Sequence, residues 1–272
     1  MEIFGIDFTS TPSPRKQITC IHAQLKGEDL HTSALLRWSS MSDFEAFLQR
    51  PGPWVAGMDF PFAMPRRFIS TIDWPHDWHD YVSMVGSWSR ATFRQQLDTY
   101  RATRAAGDKE HRRLADAKAG AISPQKLYGT PVGLMFFEGA PRLLQSGICL
   151  PGLRANQDPR VALECYPGLL ARRYIGRASY KQDDPAKQTS AQLKARQALW
   201  QHLHSEQFSL DYGLRLHAEP ALIDDPSGDA IDALLCAIQA AWAFNQGAPS
   251  YGQPKLVDPV EGWIHDPLLL QD

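Results

Sequence analysis

Aspartate closes two short apolar runs in this chain, "IFGIDFTS" from Ile3 to Ser10 and "VAGMDFPF" from Val55 to Phe62. Both read glycine, an apolar residue, aspartate, phenylalanine, and they place carboxylates at Asp7 and Asp59. Aspartate often ends a strand and opens a turn, which accounts for either one alone. If the two strands are parallel neighbours, however, their ends lie about 4.8 Å apart, and two carboxylates there repel unless a cation sits between them. Two more carboxylates, Asp229 and Asp232, stand three residues apart in "DDPSGDAIDALLCAIQAAWAF" and project from one side of a helix. First-turn aspartates also favour the helix dipole, a reading that suits Asp229 better than Asp232, which sits a turn further in beside Ala230 and Ala233. Ligation by oxygen alone suits Mg2+ or Mn2+, and two such ions about 4 Å apart activate water and stabilise the leaving oxygen in phosphodiester hydrolysis.

The elements that must hold these groups are legible in outline. Ile3 to Phe8, Gln17 to Leu25 and Asp29 to Arg37 are short β-rich segments separated by the turn formers "STPSPRK" and "KGED", which predicts an antiparallel meander. "SDFEAFLQR", from Ser42 to Arg50, starts on a serine cap and predicts a short helix before Pro51. "WVAGMDF" is then a buried strand, and the unit closes as a right-handed crossover if this fourth strand lies parallel beside the first. "RVALECYP", Arg160 to Pro167, predicts a fifth strand, and Ala186 to Glu206 a helix. The last helix is read with Asp225-Pro226 as cap and first turn, and with Ile231, Leu234, Leu235, Ile238 and Trp242 as its apolar stripe. Residues 62–159 interrupt the pattern and read as a mostly helical insertion or cap within a single domain.

Lys and Arg total 28 against 30 acidic residues, so net charge gives no argument for nucleic acid or an anionic membrane; any basic surface must be local. The most basic stretch runs from Arg90 to Lys126. It reads either as a solvated helix laced with ion pairs or as a phosphate-contacting face in which Arg112 and Arg113 bind substrate. Four scattered cysteines make neither a zinc ribbon nor a disulfide framework, and no apolar run is long enough to span a bilayer. A soluble, unprocessed cytoplasmic protein is expected.

Together "GIDFTS", "GMDFPF", "LECYPGLLAR", "SYK" and "GDAIDALLCAIQAAW" resemble the family called domain of unknown function 429. That family is assigned to the ribonuclease H-like superfamily and predicted to be nucleases. Its pattern falls on Asp7, on Asp59 with Pro61, on Glu164 with Pro167, and on Asp229 with Asp232 and Ala233. The last element also resembles the RuvC Holliday-junction resolvase. The resemblance implies a ribonuclease H-like α/β fold with a mixed five-stranded sheet flanked by helices. It further implies a metal-dependent nuclease in which Asp7, Asp59, Asp229 and Asp232 ligate two Mg2+ or Mn2+ ions. Glu164 is then an outer ligand or base, and Lys181 contacts a phosphate or balances the acidic cluster. The partner expected is nucleic acid or a nucleotide.

Two rivals remain. A sugar-kinase or actin-like phosphotransferase would need glycine after the first aspartate and a paired-glycine adenosine site, whereas Phe8-Thr9-Ser10 follows Asp7 and no Gly-Gly dipeptide exists. The other rival is a catalytically silent binding or scaffold protein of the same fold. His76 and His79 in "HDWHD" are three apart and read as a solvated cluster rather than a zinc site, and His202 and His204 face different ways. Trp74, Trp78 and Trp88 could stack on unpaired bases or be buried in the insertion.

Overall fold

The computed structural model describes residues 1–270. β1 (Glu2–Asp7), β2 (Ile18–Lys26) and β3 (Asp29–Trp38) form the expected meander, with Gly27 supplying the positive φ of 63° for the two-residue β2–β3 turn. α1 (Met41–Leu48) follows. Its cap is Ser40, two residues earlier than the sequence suggested, because Ser40 and Asp43 bond reciprocally to each other's backbone N–H. β4 (Trp54–Asp59) then returns parallel to β1, in register from Glu2 opposite Trp54 to Asp7 opposite Asp59.

The sheet has six strands rather than five. β5 (Arg160–Glu164) pairs parallel with β4, and β6 (Arg215–His217) pairs parallel with β3, giving the order β5-β4-β1-β2-β3-β6. Only the middle residue of β6, Leu216, is buried, so its three residues carry no periodicity from which a strand can be read.

The insertion contributes α2 (Arg66–Thr71), α3 (Trp78–Gly86), α4 (Arg90–Ala102), α5 (Leu114–Ala119) and α6 (Val132–Ser146). It is more than a cap set over a finished domain. Phe68, Tyr81, Phe93 and Phe136 share one continuous apolar core with Phe4, Ile6 and Met58 of the sheet, so the insertion is the layer that covers this face. Trp74 and Trp78 are buried in it, which removes them as stacking platforms for bases, and Trp88 is partly buried against it.

The opposite face is covered by α7 (Pro167–Ile175), α8 (Ser190–Leu203), α9 (Glu206–Tyr212) and α10 (Asp229–Gln246). α10 is buried from Asp229 to Ala243, apolar nearly all round, and lies directly on β1 and β4. Two glycines facing each other across those strands make this possible. A Cβ on Gly5 would stand 2.0 Å from the Ala233 carbonyl oxygen, and one on Gly57 2.3 Å from that of Cys236. Helix backbone therefore rests on strand backbone. Among the described residues no helix is long and apolar enough to cross a membrane.

Candidate functional site

Side chains two apart on a strand share a face. Gly5 and Asp7 therefore point to the same side of the sheet, as do Gly57 and Asp59, and that side carries α10. In each run the glycine admits the helix, and the aspartate two residues on meets the helix's first turn. The α10 N-terminus is held there by Asp225, whose carboxylate accepts from the N–H groups of Ser227 and Ala230, while Gly228 caps at φ 78°. Asp225 is thus a cap from outside the helix, and Pro226 precedes the first turn instead of opening it.

The four carboxylates are not equivalent. Asp232 is fully buried with both oxygens engaged: Oδ1 accepts from the Tyr180 hydroxyl at 2.5 Å and Oδ2 from the Lys181 ammonium. Asp229 is turned onto Lys16, whose Nζ lies 2.9 and 3.1 Å from its two oxygens and 2.9 Å from Asp183. Asp7 and Asp59 accept no hydrogen bond among the described residues. Burial first, then the charges of Asp232 and Asp229, hold the Asp7 carboxyl well above the usual carboxylate range. Burial and then Asp232 push Asp59 up to about 7. The Lys181 ammonium is likewise held well above its ordinary pKa, chiefly by the charge of Asp232, and so stays charged. Four carboxylates thus face two ammonium groups, and the raised Asp7 and Asp59 carboxyls relieve the excess negative charge by holding protons where no cation balances them.

Both free carboxylates line a cavity of about 380 Å3, together with Thr9, Ser10, Lys16, Lys181 and the insertion's Gly129 to Pro131. Unpaired acids crowded beside a polar cavity are a donor set that a hard divalent cation fits. Among the described residues three ligand atoms come within 4.8 Å of one another only at Asp29, His31 and His217 and at Asp77, His79 and Asp80. The aspartates of α10 do not close on Asp7 and Asp59 in that way; they pair with Lys16 and Lys181 instead. At the sheet edge, Asp29 is taken by Arg215 and His217, and at α3 Asp77 is the helix cap.

The remaining expectations divide. Lys181 lies in the cluster as the resemblance implied, here as the partner of Asp232. Glu164 stands at the margin of the cluster: β5 sets it opposite Met58, on the insertion side of the sheet and one residue out of step with Asp59, yet near enough for its charge to help raise the Asp59 carboxyl. There it accepts from the Phe62 N–H at 2.9 Å and pairs with the Arg113 guanidinium. The expectation for Arg113 is corrected. It is 1% exposed and clamped between Glu164 and Asp116, so it is a buried structural cation and not a surface contact for substrate. Arg112 beside it is exposed. His202 stacks on Tyr174 and His204 packs on Trp200, so neither approaches the site.

Sequence reasoning missed Lys16, Tyr180 as a hydrogen-bond donor to Asp232, and Asp183. Lys16 sits in the β1–β2 loop, which reads only as a turn, and nothing local links it to Asp229 more than 200 residues later. Tyr180 directly precedes Lys181 in the chain. Its burial beside Asp232 keeps the phenol neutral, so it can donate.

Fold and site together define an α/β protein with a mixed six-stranded sheet and a carboxylate cluster where the carboxyl ends of two parallel strands meet the first turn of a buried helix. The family described as protein of unknown function (DUF429) matches residues 5–255, and the chain belongs to it. No curated protein and no solved structure matches the chain.

Proposed function

We propose that this protein is a ribonuclease H-like, divalent-metal-dependent hydrolase of phosphodiester bonds. The strand order β3-β2-β1-β4-β5, with β2 alone running against the others among β1, β2, β4 and β5, supports the fold assignment. The observation that carries the function is the register Asp7 opposite Asp59, two unpartnered and charge-crowded carboxylates opening on a cavity and met by the acidic first turn of α10.

Asp7, Asp59 and Asp229 would hold the Mg2+ or Mn2+ ions, Asp229 on release from Lys16. Two such ions supply activated water and charge stabilisation at the scissile phosphate. The chain's own contribution is positioning. Tyr180 fixes Asp232, Asp232 fixes Lys181, and Lys181 with Lys16 presents ammonium groups to an anionic substrate. The test is calorimetric titration of Mg2+ and Mn2+ into the wild-type protein and Asp7→Asn, run beside a panel of DNA, RNA and nucleotide substrates. Metal uptake lost in the variant, with metal-dependent cleavage by the wild type, is the expected result. The lysine pairs of Asp229 and Asp232 favour one alternative, a silent site neutralised by lysine. Absence of metal uptake would select it and end the hydrolase reading.

A further inference from the structure

A second cavity, of about 230 Å3, adjoins the carboxylate cavity. Asp59, Thr130, Met135 and Lys181 belong to the walls of both, so the two are neighbouring compartments of one cleft. Their linings differ. The first carries Asp7, Asp59, Asp229 and both lysines, whereas the second is walled by Ile122, Val132, Ile264 and the ring of Tyr166. Its charged floor, Arg113 with Asp116 and Glu164, is paired internally and offers no free cation to a ligand. As a pair the compartments are of the size of small-ligand sites, roughly 300–1,000 Å3.

We infer that the cleft takes one nucleotide at a time, its phosphate at the Asp7–Asp59–Lys181 end and its base in the apolar compartment between Val132, Ile122 and Tyr166; this rests on the hydrolase reading above. The chemistry demanded is an anionic phosphoester joined to a flat, largely apolar ring. Lys181, at the junction, faces the phosphate from either compartment. The insertion walls both compartments, with Gly129 to Pro131 and Met135 on the carboxylate side and Ile122 and Val132 on the other. A free mononucleotide and the terminal nucleotide of a strand share this chemistry.

The experiment measures binding of AMP, ribose 5-phosphate and a short single strand to the full chain, with and without Mg2+. It uses the wild type, Val132→Trp, which fills the apolar compartment, and Ile122→Asp at an exposed loop position. AMP is expected to bind about tenfold tighter than ribose 5-phosphate, the scale of one stacked base. Both variants should reduce that preference while leaving Mg2+ uptake unchanged. A strand that binds tighter than AMP marks a strand terminus as the natural ligand, and one that binds no tighter marks the free nucleotide. Equal binding of AMP and ribose 5-phosphate, or a preference that survives both variants, overturns the inference even if Mg2+ binds. Failure of Mg2+ to bind sinks the hydrolase reading instead, and an AMP preference that persists without metal would still support the nucleotide cleft.

Discussion

Asp59 keeps its proton to about pH 7, far above the roughly 3.9 of a free aspartate, and Asp7 is raised in the same direction. A carboxyl whose pKa is higher folded than unfolded binds its proton more tightly in the native state. Its contribution is therefore most favourable below about pH 4 and is lost as pH climbs from about 4 to 7. Comparing wild type with Asp59→Asn isolates this term from the other carboxylates: the variant should gain stability relative to wild type across that window in metal-free buffer, measured by urea unfolding at several pH values. A constant difference would mean that Asp59 ionises normally. Asp7→Asn should likewise raise the metal-free melting temperature and abolish the rise on adding Mg2+. A variant that melts earlier and still responds to Mg2+ would make Asp7 a turn residue. The opposite behaviour belongs to Arg113. Its removal leaves Asp116 and Glu164 buried without a cation, so Arg113→Met should cost about 3–5 kcal/mol in denaturant unfolding.

At the scale of the element, the echoed Gly-apolar-Asp run has a packing explanation that the sequence alone did not supply. The parallel pairing of the two strands was legible because each ends on the same residue types, and α10 was legible from its apolar stripe. What could not be read was that both glycines sit under that helix, since the close approach exists only once strands from opposite sides of residues 8–53 are neighbours. Gly5→Ala puts a methyl 2.0 Å from the Ala233 carbonyl and 2.2 Å from the Ala237 nitrogen, both backbone atoms that cannot swing away. The helix must lift, at a cost near the upper end of overpacking, about 3 kcal/mol. It would carry Asp229 and Asp232 off the strand ends, so Mg2+-induced stabilisation should weaken along with stability. Gly27→Ala, at a positive φ but with open space around it, is the control: it should strain the turn and leave the Mg2+ response intact. An unchanged response in Gly5→Ala would show that α10's position does not matter to the site.

Over the whole molecule, composition and local patterns gave the sheet's first five strands and the helical character of residues 62–159, but not where charge is spent. The stretch from Arg90 to Lys126 looks basic in sequence, and folding consumes much of that charge. Arg90 pairs with Glu138, Arg101 with Asp98, Arg104 with Asp108, and Arg113 with Asp116 and Glu164. Asp98, Asp108 and Asp116 lie within the stretch itself, but Glu138 and Glu164 stand 48 and 51 residues from their arginines, so a local count of charges misses those two. Arg94, Lys109, Arg112 and Lys118 are left exposed and without an ion pair among the described residues. The family match ends at residue 255, yet Trp263, Ile264 and Leu269 pack with α5 and His265 bonds the Glu164 backbone, so the chain beyond the match helps to fix this same region. A phosphate-contacting face built from adjacent arginines would lose about two units from the slope of log affinity against log salt when both are neutralised. Here only Arg112 faces solvent. Arg112→Ala should therefore flatten the salt dependence of single-strand binding by at most about one unit, with stability within about 0.5 kcal/mol of wild type. Adding Arg113→Met should lower stability without further change in the slope, read at a temperature where the double variant is still folded. A double variant that keeps wild-type stability and loses two units of slope would mean that Arg113 turns outward to bind phosphate, and the buried Arg113–Glu164 pair would no longer explain why Glu164 stands at the margin of the carboxylate cluster.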